Sequence, residues 1–358
     1  MEKIRKSLSG ALVPLVSILL AFLIGNLIIV LLGANPGRAM AALFKGAFGS
    51  RAGIGTTLNK STPLMFTALC ACFAYKCGVF NLGGEGQFLI GATAAFCAVH
   101  CSGVTGLAGI AVALVVGALA GGFWGLIPGI LKITRGLNEM IISIMLNYVA
   151  TLFMGVIYTN WIRDIKMPQT PAIHDSLVLP KLLPGMRFTW SFVLAIAVGF
   201  ALYYFLYHTS PGFRLRAVGL NMTAGRFNGF PVRKYILMSF ILSGAIAGLG
   251  GASDLLGTQL RLINGYGNGY GFDGVAMALI GQLHPIATIV VAIFFAALRV
   301  GATSMQVATG VPTSVSDIIQ ALVIVFAVAG MALTKLPEFE AFRLWLARGI
   351  RREGKANG

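Results

Sequence analysis

"ALVPLVSILLAFLIGNLIIVLL", residues 11–32, carries no charged side chain. At 1.5 Å per residue, a helix of about 22 residues reaches across a hydrocarbon core about 30 Å thick. The run is longer than the apolar core of a secretory signal, and the basic stretch MEKIRK precedes it. It is read as a retained membrane helix whose basic end stays in the cytoplasm. The rest of the chain has the same character. It holds 358 residues, 57% hydrophobic and only 11% charged, whereas a soluble chain is about a quarter charged. No polar stretch is long enough for a soluble domain, so one membrane domain is expected over 1–334.

Ten apolar segments are predicted as helices, at about 11–32, 61–76, 86–101, 107–131, 139–160, 189–208, 235–253, 272–283, 285–301 and 315–334. The expected class is therefore an all-α polytopic membrane protein with about ten transmembrane helices, some short or broken. Such helices are tolerated where they are buried in protein or line a cavity. Both termini then face the cytoplasm, and the inside segments collect most of the 27 basic residues. Residues 33–60 carry Arg38, Lys45, Arg51 and Lys60 and suit an amphipathic external helix at the headgroups. The last segment, 335–358, is basic and amphipathic and suits the inner membrane surface.

The net charge of +16 is explained by topology, with lipid headgroups as the partner. Aromatic RNA-binding motifs and zinc-spaced Cys/His sets are absent from the sequence, so no nucleic acid and no metal are expected. Cys70, Cys72, Cys77, Cys97 and Cys101 lie in or beside apolar helices and read as small packing residues.

Two loops stand out. Residues 161–188 hold four prolines and mixed charge, a gate or an external docking surface if they are more than a connector. Residues 210–234, "SPGFRLRAVGLNMTAGRFNGFPVRK", hold five basic residues and no acid. Pro211-Gly212 reads as a breaker, and Asn221 can cap a short helix from Met222 to Asn228. A capped surface helix between spans is how a soluble motor grips a membrane domain.

Polar residues inside greasy segments mark the interior. "GVFNLGGEGQFLIG", residues 78–91, places Asn81, Gly83, Glu85, Gly86 and Gln87 between two apolar runs. An ionised carboxylate facing acyl chains costs at least ~2.5 kcal/mol, so Glu85 belongs in the bundle, a cavity or a partner surface. Glycines break the helix there, and Asn81 and Gln87 can satisfy the freed backbone groups. Glu85 would be held by backbone N–H groups or by a cation such as Lys76. Three readings stay open: a break beside the translocation path, a purely structural break, and a proton relay. Asn138 and Glu139 open the fifth span, where a cap and a negative charge suit a helix N-terminus. Asn147 is either a pathway residue or an interhelical hydrogen bond. "NGYGNGYGFDG", residues 264–274, carries Tyr266, Tyr270, Phe272 and Asp273. Without a preceding strand its glycines do not make a dinucleotide loop. It is either a tight re-entrant turn with interfacial tyrosines or an aromatic turn that stacks a base. It also echoes 81–92, with an acid and glycines ahead of an apolar helix, as internal repeats do in transporters.

Four motifs in order, "VFNLGGEGQFLIGA", "TRGLNEMIISIMLNYVA", "RAVGLNMTAGRFNGF" and "GYGFDGVAMALIGQLHP", resemble the permease subunits of bacterial ABC importers of the branched-chain amino acid and ribose permease superfamily, over roughly 60–335. The nearest resemblance is to the nucleoside branch, which is served by a basic-membrane-protein-type lipoprotein. The resemblance implies a type II-like permease fold in the cytoplasmic membrane, a second related permease, a cytoplasmic ABC ATPase and an extracytoplasmic substrate-binding lipoprotein. It places coupling to the ATPase on Arg214–Phe230, with Arg214, Arg216, Gly219, Asn221, Ala224, Gly225 and Phe230 at the contact. Where the family often has proline after the asparagine, this chain has Met222. The helix break and path would include Asn81, Gly83, Glu85, Gly86, Gln87, Asn138, Glu139, Asn147, Tyr270 and Asp273. The chain has no GxxxxGK[ST], so ATP and magnesium belong to the partner ATPase and this chain needs no cofactor. Solutes open to it are nucleosides or simple sugars. An ion-coupled secondary transporter, using Glu85 and Asp273, is the alternative from another class. Four scattered histidines and no nucleophile or metal motif argue against an enzyme.

Overall fold

The computed structural model describes residues 2–164, 167–183, 185–267 and 269–333. The expected tail at 335–358 lies outside the described residues. Among those described there are thirteen α-helices: α1 (Glu2–Leu31), α2 (Pro36–Phe48), α3 (Arg51–Lys76), α4 (Gly84–Ser102), α5 (Gly106–Arg135), α6 (Glu139–Val156), α7 (Trp190–His208), α8 (Ser210–Leu220), α9 (Met222–Phe227), α10 (Val232–Asp254), α11 (Tyr270–Ile280), α12 (Pro285–Thr309) and α13 (Ser314–Leu333). α6 and α10 each run on into a π turn, at Ile157–Trp161 and Leu255–Gln259. Five helices are long and apolar enough to cross a membrane: α5, α6 with its π turn, α7, α10 with its π turn, and α12.

Each predicted span falls on a helix; α9 is the short capped helix expected from Met222, α2 lies in the stretch expected to hold an amphipathic helix, and α8 is the addition. α3 starts ten residues ahead of the predicted 61, because Ser50 caps it, its side chain accepting from the Gly53 N–H at 2.9 Å. Pro211-Gly212 does not break the chain as expected. Thr209 accepts from the Gly212 N–H at 3.2 Å, and Pro211 sits in the first turn of α8, where its missing N–H and fixed φ suit a helix.

Two compact units emerge, Leu43–Gly301 and the two ends of the chain taken together. In the end unit α1 packs on α13, and Gly25 lets the two close up at Ile319. In the larger unit α3 is buried along Ser61–Tyr75, which explains why a helix with many Ser, Thr and Gly residues can stand in a membrane domain. Beside it α4, α5 and α10 pack closely on one another, with Gly117, Gly121 and Gly125 on α5 and Gly244 and Gly248 on α10 at four-residue spacing. A Cβ on Gly121 would lie 2.6 Å from the Gly248 Cα. Small residues at this spacing let backbones touch where no hydrophobic drive exists between helices.

The long loop after α6 is tied to the chain after α10. The Ile173 and Leu179 N–H groups donate to the carbonyls of Leu260 and Leu256, both at 2.9 Å, and Thr170 donates to Leu262 at 3.0 Å. That outer segment then leads into the glycine-rich turn ahead of α11.

Candidate functional site

Both glycine-rich breaks turn back into the larger unit and start a helix inside it. Residues 77–83 fold back until Asn81 lies beside Cys70 of α3 and Ser243 of α10, both interior positions. α4 begins there. On the other side, residues 260–267 run inward until Gly267 meets the Phe88 ring, and α11 begins against Thr67, the neighbour of Gly274. The two helix starts meet: the Cβ position of Gly84 lies 3.9 Å from the Gly271 Cα, and that of Gly271 lies 2.6 Å from the Glu85 Cβ. Only glycine at 271 permits this approach. Sequence pattern thus becomes geometry, because the two motifs that echo each other end face to face. Each puts an acid in its helix's first turn, Glu85 in α4 and Asp273 in α11, where the positive end of the helix favours it.

A closed network fixes the first break. Asn81 Nδ2 donates to Ser243 Oγ at 2.8 Å and to Gln87 Oε1 at 3.0 Å. Its Oδ1 accepts from the Gly83 N–H at 2.9 Å and from Gln87 Nε2 at 3.1 Å. Asn147, reaching across from α6, holds both sides: its Oδ1 accepts from the Gly86 N–H at 2.8 Å and its Nδ2 donates to the Leu82 carbonyl at 2.9 Å. These amides therefore satisfy the backbone groups that a broken helix exposes. At the foot of α6, Asn138 Oδ1 accepts from the Met140 N–H at 2.9 Å, and Glu139 pairs with Lys132.

The two acids differ. Asp273 is paired with Arg299 of α12. Glu85 lies among the backbone amides of Gly269 and Gly271, and its Oε2 is buried with no hydrogen-bond partner. The expected cation, Lys76, instead stands over the Tyr207 ring. Glu85 borders a hollow of ≈ 240 Å³ together with Ile144, Asn147, Tyr148, Thr151, Gly269 and Phe272. Tyr148 and Phe272 are 65% and 49% exposed. The other aromatics of the turn face inward: Tyr266 and Tyr270 both pack on Phe88, and the Tyr266 hydroxyl donates to the Gly251 carbonyl at 3.1 Å. Tyr148 and Thr151 were not singled out in the sequence. Their signal was a stripe at i+4 and i+7 from Ile144 on an apolar span.

On the basic face, α8 and α9 form a helical elbow. Asn221 caps α9, accepting from the Ala224 N–H at 2.9 Å. Gly219 presses on the carbonyl end of α3, and Gly225 lies against Val218, so these two glycines face the chain itself. Arg214 stands over the Phe230 ring, and Arg216 over Tyr207 while its Nε donates to the Leu206 carbonyl. The most exposed large apolar residues are Leu220 and Phe227, at 90% and 89%, with Phe213 also exposed. Arg226, Arg233 and Lys234 line an open recess of ≈ 540 Å³ beside α9. Among the described residues no group of His, Cys, Asp and Glu side chains is placed to hold a metal ion.

Residues 53–328 match the family described as branched-chain amino acid transport system / permease component. A guanosine ABC transporter permease, NupP of Bacillus subtilis, is 36% identical over 92% of this chain and 96% of its own length. A nucleoside ABC transporter permease, NupB of Lactococcus lactis, is 32% identical over 93% and 94%. A glucose ABC transporter permease, TsgB13 of Haloferax volcanii, is 32% identical over 88% and 86%. The same two bacteria each hold a second, more distant match with the same kind of name, NupQ and NupC.

Proposed function

Since this chain belongs to the branched-chain amino acid transport system / permease component family, we propose that it is the nucleoside-moving permease of an ATP-driven importer. It is a multi-pass inner-membrane transport subunit, not an enzyme. The observation that carries the nucleoside reading is the 36% identity, over nearly all of both chains, to a permease named for guanosine. The hollow at Glu85, with acceptors and two exposed aromatic rings, has the chemistry such a solute needs.

The geometry supports a division of labour. Energy enters from a cytoplasmic ABC ATPase that binds ATP and magnesium and seats on α8–α9, where Leu220, Phe227 and the cations of the recess stand outward. Solute arrives on an extracytoplasmic lipoprotein that docks on the outer loop 162–189, which hydrogen bonds tie to the chain after α10. A second, related permease completes the path, as the paired names NupP and NupQ, NupB and NupC suggest.

The test is uptake of labelled guanosine, uridine and glucose into proteoliposomes holding the full set of subunits, with and without internal ATP. ATP-dependent nucleoside uptake is expected. Uptake of glucose alone would transfer the assignment to sugars, as the glucose-named relative invites. Uptake by this chain alone, driven by a pH gradient, would place it among ion-coupled transporters.

A further inference from the structure

Most of the polar groups that meet at the two helix starts are satisfied. Asn147 spends its oxygen on the Gly86 N–H and its amide on the Leu82 carbonyl. Asp273 is neutralised by Arg299. Asn81 and Gln87 satisfy each other and the break. Two buried oxygens here have no partner, the Ser143 hydroxyl beside Gly83 and Glu85 Oε2; of these two residues only Glu85 borders the hollow. A carboxylate oxygen away from bulk water without a donor is costly, and a donor brought by a solute relieves it.

What flanks that space is equally specific. Tyr148 and Thr151 stand on α6 one turn apart and Phe272 on α11, so aromatic rings come from two different helices that border the same hollow. The Thr151 hydroxyl is spent on the Asn147 carbonyl of its own helix, so what distinguishes this wall is the pair of rings beside the carboxylate. Flat rings take a flat solute by stacking without reading its hydrogen-bonding edge. An ionised carboxylate accepts O–H and N–H donors and repels an anion.

We infer that the hollow bounded by Glu85, Tyr148, Thr151 and Phe272 contacts the solute in transit. The rings lie on the base, and Glu85 accepts from a sugar hydroxyl or a base N–H. The site thereby passes uncharged nucleosides and turns away nucleotides. This rests on the nucleoside reading above and adds to it the residues and the exclusion of phosphate.

The experiment measures nucleoside uptake by cells carrying this chain with its ATPase, second permease and receptor. Phe272→Ala and Tyr148→Ala are each expected to lower guanosine uptake about tenfold at equal membrane abundance, while Phe272→Tyr and Tyr148→Phe keep most of it. Glu85→Gln is expected to let guanosine monophosphate compete where the unaltered complex ignores it, a change a merely structural role would not produce. Where the wild-type complex moves no nucleoside, the functional reading itself fails. Where it does and both alanine variants transport normally, or Glu85→Gln stays blind to the nucleotide, the site is overturned. Should an alanine variant not reach the membrane, photolabelling of the unaltered full chain in nanodiscs with 8-azidoadenosine decides. Label within 144–151 or 269–272, blocked by guanosine and not by guanosine monophosphate, supports the site. Label elsewhere, or none, overturns it.

Discussion

Asn147 shows how one side chain can hold two helices in register. Its amide is the clamp between α6 and the broken start of α4, with one hydrogen bond on each side of the break. Interhelical hydrogen bonds in membranes average ~0.6 kcal/mol and reach ~1.7, so Asn147→Leu is expected to lower stability by about 1–3 kcal/mol. The check is a thermal melt of the purified chain in detergent. Neighbouring Thr151→Val, which removes only a bond to the Asn147 carbonyl of its own helix, should shift it far less. That Asn147 mattered was legible, since an amide in an apolar span must find a partner. Which partner was not legible, because Gly86 and Leu82 lie 61 and 65 residues away. The same limit applied to Glu85. Its type and its glycine neighbours announced a break, yet that Lys76 stands over Tyr207 instead of beside it follows only from the fold.

At the scale of elements the apolar runs were sufficient for α5–α7, α10 and α12, because length and hydrophobicity determine a span. They were insufficient where helices pack on one another rather than on lipid. The small residues of "SGAIAGLGGASD" on α10 point to tight helix packing, and the contact shows that the partner is the glycine row of α5. Gly248 faces Gly117, Gly121 and Gly91, so Gly248→Val would drive two branched methyls into three backbones. Loss of folded protein in size-exclusion chromatography is the expected result, whereas Gly185→Ala, on a loop with open space about it, should leave yield largely intact apart from its φ of +82°. α11 is a second case. It has only eleven residues, and both ends are fixed: Gly271 on Glu85, and the turn that follows on Tyr207 through His284, ring centroids 5.5 Å apart. Burial, and after it the Lys76 ammonium, hold the His284 pKa below its ordinary 6.5. The unfolded chain therefore binds the proton more readily, so stability from this group is complete above about pH 6.5 and is lost as the pH falls through the folded value. Melting temperature should drop on going from about pH 7 to about pH 5.5, and His284→Gln should flatten part of that slope.

Across the whole larger unit, the elbow and the hollow are joined by packed parts. Tyr207 is the meeting point: the Arg216 guanidinium of α8 lies 4.7 Å from its ring centroid, the Lys76 ammonium 5.9 Å and the His284 ring 5.5 Å. From His284 the rigid α11 leads to Asp273, Gly271 and Glu85. Movement imposed on α8–α9 thus has a short solid route to the two helix starts, since packed elements transmit displacement better than they absorb it. The outward Leu220 and Phe227 are the handles for such a push. Apolar side chains exposed to this degree beside a cationic recess fit a partner surface better than water. Phe227→Asp and Leu220→Asp should leave the permease folded, because neither side chain packs on its own chain. They should nonetheless abolish ATP-driven uptake in the reconstituted complex. Tyr207→Ala acts one step further in and should keep the ATPase bound while transport per ATP hydrolysed falls. Measuring ATPase retention on affinity-captured permease alongside uptake separates the two. Lost retention with Phe227→Asp and kept retention with Tyr207→Ala is the expected pattern. Full uptake in the Tyr207→Ala complex would show that the stroke reaches the hollow by another path.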